Sequence, residues 1–171
     1  MKESEYLEGQ DHLVARIRLL PAFADFDDHR LKELLRLCKI RIFEAGETVI
    51  QEGEKERCMY FLFSGAVQVS KGGRVVSTLR RTGDVFGEMS LVDGAPRSAT
   101  VRAVGETTCL TVDAAQLENP ASKEDAAFQA AIYRMFTHLL TARLRVTTDE
   151  YLKVRQELEQ LRKSVPLTAK P

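Results

Sequence analysis

Residues 123 to 163 contain neither glycine nor proline, whereas residues 40 to 113 are short β-branched or aromatic runs broken repeatedly by glycine. One kind of element cannot satisfy both blocks. The first block reads "IRIFEAGETVIQEG", "CMYFLFSG", "AVQVSKGGRVVSTLR" and "SATVRAVGETTCLTVD". Its spacing predicts some eight short strands joined by tight turns, which argues for an antiparallel sandwich or jelly roll. Within it, Gly72 and Gly73 of "SKGGRV" predict a two-residue hairpin, because such turns need positive φ. The second block predicts one helix of about forty residues, with Ser122 as N-cap and Glu124 and Asp125 in its first turn. Ahead of both, residues 10 to 20 and 28 to 38 carry apolar residues at helical spacing, and Asp27 or Asp28 can cap the second of these helices.

The expected order is an N-terminal helical segment (1–39), a β jelly roll (40–113), a hinge (114–122), a long helix (123–165) and a tail (166–171). The fold class is mainly β with flanking helices: an antiparallel β jelly roll, or double-stranded β-helix, with short N-terminal helices and a long C-terminal dimerisation helix. A chain of 171 residues, 44% apolar, can bury the core this requires.

Charge and composition then exclude several function classes. Twenty-five basic and twenty-five acidic residues cancel, so no global field draws nucleic acid or an anionic membrane, and an anion must be caught locally. The N-terminus is charged throughout and the longest apolar run, "CMYFLF", is too short for a signal core or a membrane span. The expectation is a cytoplasmic protein. Cys38, Cys58 and Cys109 are odd in number and widely spaced, as small core residues rather than a disulfide framework or a thiolate metal site. The three histidines, His12, His29 and His138, fall in predicted helices, which argues against a metal-holding jelly-roll enzyme. No phosphate-cradling Gly-Lys-Ser/Thr loop, nucleophile elbow or His-Glu-x-x-His helix occurs. The sequence therefore predicts no enzyme, no catalytic residue, no metal and no cofactor.

The long helix carries a heptad seam. Tyr133, Thr137, Leu140, Leu144, Thr147, Tyr151, Val154, Leu158, Leu161 and Val165 step alternately by four and three. A second stripe, Phe128, Ile132, Met135, Leu139 and Val146, marks the first half only. The first half is expected to be covered on two faces, by the β domain and by a partner helix. A parallel homodimer through residues 123–165 covers the seam. Packing back onto the chain's own domain would cover one stripe and leave the second half bare.

Residues 83 to 103, "GDVFGEMSLVDGAPRSATVRA", carry the candidate chemistry. "FGEMSL" can form one helical turn whose N-terminal amides face an anion, and Gly87 lets that anion approach. Arg97 can pair with phosphate oxygens, Pro96 fixes the backbone just before it, and Ser98 adds a hydroxyl donor. Glu88 would repel a phosphate, but a carboxylate accepts well from a ribose hydroxyl. The physical reading is a ribose phosphate pocket; the alternative is a Glu88–Arg97 ion pair that merely stabilises a surface loop.

This stretch resembles the phosphate-binding cassette of cyclic nucleotide-binding domains, in which F-G-E leads through a short loop to P-R-(A/S/T)-A-T-V. Here it stands as "FGEMSLVDGAPRSATV", and "LPAFADFDDHRLKELL", "FEAGETVIQEGE" and "MYFLFSGAVQV" resemble the helices and strands upstream of it. The resemblance implies a cyclic nucleotide contacted by Gly87, Glu88, Met89, Ser90, Arg97, Ser98 and Ala99. The long helix is similar to the dimerisation helix of the catabolite activator protein group of bacterial regulators. There a leucine-x-valine segment followed by two hydroxyl residues meets the purine, one hydroxyl coming from the other subunit; here "LRVTTDE" supplies Thr147 and Thr148. Arg143 matches a helix arginine that in the group reaches the ribose-binding carboxylate.

Members of that group continue into a helix-turn-helix DNA reader, whereas here only "SVPLTAKP" follows. The resemblance thus implies a stand-alone dimeric sensor of cAMP, with cGMP as the second ligand, that signals by repositioning its helix. It implies no direct contact with nucleic acid or membrane, and leaves an effector protein unidentified. A ligand-independent scaffold and a regulatory subunit of a separate effector chain are the alternatives.

Overall fold

The computed structural model describes residues 1–5, 7, 13–113 and 123–164. His12, the Ser122 cap, the 114–122 hinge, Val165 and the 166–171 tail lie outside the described residues. The chain divides into two compact units, Met1–Ala131 and Ile132–Pro171.

The first unit runs β1 (Lys2–Glu3), α1 (Val14–Arg18), a 3₁₀ turn (Pro21–Phe23), α2 (Asp28–Leu35), β2 (Cys38–Phe43), β3 (Thr48–Ile50), β4 (Cys58–Ser64), β5 (Val67–Lys71), β6 (Arg74–Leu79), β7 (Val85–Phe86), α3 (Met89–Asp93), β8 (Thr100–Ala103) and β9 (Thr107–Asp113). The strands form two sheets in the orders β1-β2-β9-β4-β7 and β3-β8-β5-β6, with antiparallel pairing throughout. This is the jelly roll that the strand spacing predicts.

Local chemistry explains its corners. Asp27 Oδ1 accepts from Arg30 N at 2.8 Å, so Asp27 is the cap of α2. Gly72 and Gly73 turn the β5–β6 hairpin with φ of 53° and 77°, the pair of positive values a type I′ turn needs. The β4 run "CMYFLF" has no polar alternation because it is buried on both faces. Tyr60 and Leu62 face the space between the sheets with Phe43, Val67, Phe86, Val101 and Cys109. Phe61 instead meets Phe23 of the 3₁₀ turn, ring centroids 4.7 Å apart. Burying each such side chain contributes about 1.5–3 kcal/mol.

The N-terminal segment departs from its expected all-helical character. Lys2 and Glu3 pair with Ile42 and Arg41 as an edge strand, and Glu3 is clamped by Lys39 Nζ at 2.7 Å and by Arg41. Those hydrogen bonds, with Lys39 leading, hold the Glu3 carboxyl below the ordinary carboxylate range. Two residues are too few to show a strand period. Helix α2 ends at Leu35, short of the expected residue 38, because Cys38 is taken into β2 opposite Val112.

Helix α4 spans Lys123–Ser164. Along it Ile132, Met135 and Phe136 are buried, and Tyr133 meets Phe136 edge-on. From residue 141 to residue 164 every position is exposed.

Candidate functional site

Strand β7 delivers the chain to Gly87, whose φ is +79°. A Cβ there would stand 2.9 Å from Arg97 Nη1, 2.9 Å from Ile50 Cδ1 and 3.2 Å from the Cys58 carbonyl oxygen. Glycine alone lets the backbone pass this close to the guanidinium in a left-handed conformation. The short helix α3 follows and closes at Gly94 in the left-handed region. The chain then returns to Arg97, whose backbone is gripped in both directions by the β3–β4 loop: Arg97 N donates to Glu54 O at 2.8 Å, and Gly53 N donates to Arg97 O at 2.9 Å.

The Arg97 side chain is only 2% exposed. Its Nη1 donates to Gly87 O at 2.6 Å and to Ser90 Oγ at 2.8 Å, and Nη2 donates to Cys58 O at 2.5 Å. Nε is buried with no acceptor among the described residues. Neutral oxygens therefore take up most of the head group, although a buried cation is costly unless it is paired with an anion. Glu56 is a carboxylate within ion-pair range, at 3.5 Å and partly exposed. It is shared: Glu56 also lies 3.2 Å from Arg41 Nη1 and accepts from Tyr60 OH at 3.2 Å.

Tyr60 links this polar cluster to the core, its ring stacked on Phe86 at 5.1 Å. Burial, then the Glu56 charge, push the Tyr60 hydroxyl above its ordinary range. The same two causes push the Cys58 thiol up to about 12, so at neutral pH it stays a thiol, and the part of this residue that serves Arg97 is its carbonyl. Burial also raises the thiols of Cys109, to about 12, and Cys38. All three cysteines are buried and unbridged.

Of the residues the sequence nominates, Gly87, Ser90 and Arg97 meet directly, and Glu88 is buried beside them at the head of α3. Met89 is exposed over the loop, its Sδ 3.8 Å from the exposed Ser98 Oγ, and Ala99 is half-buried. Arg143, Thr147 and Thr148 stand on the exposed stretch of α4, in the second unit. Sequence reading missed Glu56, Tyr60, Arg41 and the Cys58 carbonyl. Glu56 sits in "EGEKERC", which looks like a solvated charge run, and a backbone carbonyl has no residue signature at all. Among the described residues no group of three or more His, Cys, Asp or Glu is gathered as a metal site, and no helix is long and apolar enough to cross a membrane.

Fold and loop together define a β jelly roll with an apolar core and a buried arginine in the glycine-punctuated connection between β7 and β8. Residues 40–123 match the family model of the cyclic nucleotide-binding domain, and the chain belongs to that family through this domain. It is 33% identical over 102 residues to a cyclic nucleotide-gated potassium channel of Rhizobium etli, covering 60% of this chain and 28% of the channel. It is 33% identical over 96 residues to a cAMP-dependent protein kinase regulatory subunit of Debaryomyces hansenii, covering 56% and 21%. The chain thus spans less than a third of these curated relatives. Among solved structures, a cyclic nucleotide-binding domain from Methylobacillus flagellatus superposes with a TM-score of 0.73 at 21% identity, covering 87% of this chain and 88% of that one. The catabolite activator protein of Thermus thermophilus gives 0.61 at 24% identity, covering 85% and 72%. At these identities the structural likeness speaks for the fold.

Proposed function

We propose that this protein is a non-enzymatic, cytoplasmic receptor for a 3′,5′-cyclic nucleotide, cAMP before cGMP. The Gly87–Ala99 segment receives the ligand, and a homodimer forms through α4. Arg97 and Ser98 take the phosphate, with the amides of residues 89 and 90; Glu88 accepts from the ribose hydroxyl. Arg143, Thr147 and Thr148 come from α4 to the ribose carboxylate and the purine. Ligand binding biases the pose of α4, and that population shift is the output.

The observation that carries this reading is the buried Arg97 guanidinium, held in place by neutral oxygens and short of full counter-charge, in a domain of this family. An incoming phosphate supplies the missing charge, and a charge-assisted pair in a water-poor loop is stronger than one on the surface. Thermal unfolding with cAMP, cGMP and AMP tests it. Either cyclic nucleotide, well above its dissociation constant, should raise the midpoint while AMP does not. No rise with cAMP or cGMP sinks the receptor and leaves a ligand-independent scaffold.

The curated relatives carry such a domain within much longer chains. The downstream step in this reading is an effector protein that α4 engages or releases. Pull-down with and without cAMP tests that step.

A further inference from the structure

From residue 141 to residue 164 every residue of α4 is exposed, including Leu144 at 67%, Tyr151 at 62%, Val154 at 61% and Leu161 at 61%. Leu144, Tyr151 and Leu158 occupy the a positions of the heptad and Thr147, Val154 and Leu161 the d positions, with Val146 and Leu152 off the seam. An apolar stripe of this kind on an exposed helix calls for cover, and the charges on its two borders say what kind.

The g positions beside the stripe are Arg143, Glu150, Glu157 and Ser164; the e positions are Thr148, Arg155 and Arg162. Over the last two heptads one border is acidic and the other basic. In a parallel, in-register pair of helices each g residue faces the e residue five positions later in the other chain, and these contacts set orientation and partner choice. Glu150 then faces Arg155 of the partner subunit, and Glu157 faces Arg162 of the partner subunit. Two-fold symmetry repeats both, giving four attractive contacts. A fully overlapping antiparallel pair brings g to g and e to e. That would oppose Glu150 to the partner's Glu157 and Arg155 to the partner's Arg155. Within the chain Arg155 Nε lies 3.5 Å from Glu159, both well exposed, and an exposed i,i+4 pair of this sort leaves the arginine free to swing to a partner.

We propose that the 144–164 stretch of α4 docks on a second copy of this chain, parallel and in register, and that the Glu150–Arg155 and Glu157–Arg162 contacts between subunits select this partner and this orientation. The inference rests on the dimeric reading above and adds its register and its selectivity.

The test is sedimentation equilibrium of the full chain and of two charge-swapped variants, one with Glu150→Arg and Glu157→Arg, the other with Arg155→Glu and Arg162→Glu. Each variant alone faces like with like, and its dimer dissociation constant should rise at least tenfold at low salt, with the loss shrinking in 1 M salt. An equimolar mixture restores all four contacts and should form a heterodimer as tight as the wild type, which also shows that both variants fold. Swapped variants that dimerise like the wild type, or a mixture that fails to pair, overturn the register and leave the dimer standing. A monomeric wild type overturns the dimer itself. A tetramer, which leucine at a with branched residues at d also permits, overturns the two-chain form. As an orientation readout, Leu161→Cys should give a disulfide-linked dimer on oxidation; its absence in a dimeric sample overturns the parallel arrangement.

Discussion

The loop around Arg97 and the far stretch of α4 treat unfavourable groups in opposite ways. At Arg97 a charged group is withdrawn from water, and the chain surrounds it with three oxygen acceptors, a backbone clamp and a shared carboxylate. Along α4, apolar groups such as Leu144, Val154 and Leu161 are left in water. Burying the guanidinium costs several kcal/mol before its partners are counted, which is why its surroundings are so fully built. The exposed stripe carries a smaller penalty per residue and can await a partner without unfolding the helix. The contacts of the loop close within one chain, whereas the stripe stays exposed along residues 141–164.

Four changes probe that contrast, from the largest effect down. Ending the chain after residue 145 should abolish self-association, seen in sedimentation, while the thermal midpoint of the jelly roll stays put. A truncated protein that remains dimeric would assign the stripe to something other than self-association. Arg97→Ala should weaken cAMP by about 2–5 kcal/mol in calorimetry, the usual penalty for removing one partner of a buried charge pair. It should also lower the melting temperature, since the Gly87 and Cys58 carbonyls lose their donor. Unchanged affinity in the folded variant would take the phosphate away from Arg97.

Next comes Gly87→Ala, which forces an L-residue into φ +79° and presses a methyl on the guanidinium. The conformational penalty alone is about 1–2 kcal/mol of stability, read in denaturant unfolding, and affinity should fall with it. A neutral outcome would mean that the loop relaxes more readily than its contacts imply. Thr147→Ala should be the mildest, weakening cAMP by about 0.5–1.5 kcal/mol for one neutral hydrogen bond and changing the cAMP to cGMP ratio. If that ratio holds, α4 contributes no purine contact and the contrast between the two regions becomes complete.

How far each region can be read from sequence follows from the range of its determinants. The jelly roll is legible because strand alternation and glycine turns are local, and the Gly72–Gly73 hairpin shows the rule at its cleanest. Gly87, Ser90 and Arg97 are legible together because they share one short segment. Glu56 is not, since its only sequence mark is membership of a charged run, and Tyr60 reads like any core aromatic. Strand β1 was invisible for a different reason: two residues held by Glu3 against Lys39 and Arg41 have no period to read.

By itself, then, the sequence determined what depends on spacing along the chain: the switch from strand to helix period, the turn glycines, an aspartate cap at residue 27 or 28 and the heptad of α4. Tertiary structure alone decided what depends on closure between distant segments. It placed the Cys58 carbonyl on Arg97 across 39 residues, made Glu56 common to Arg97 and Arg41, and buried β4 on both faces. Periodicity reports which way a side chain points from its own backbone. It carries no information on which backbone, folded in from elsewhere, will be waiting there.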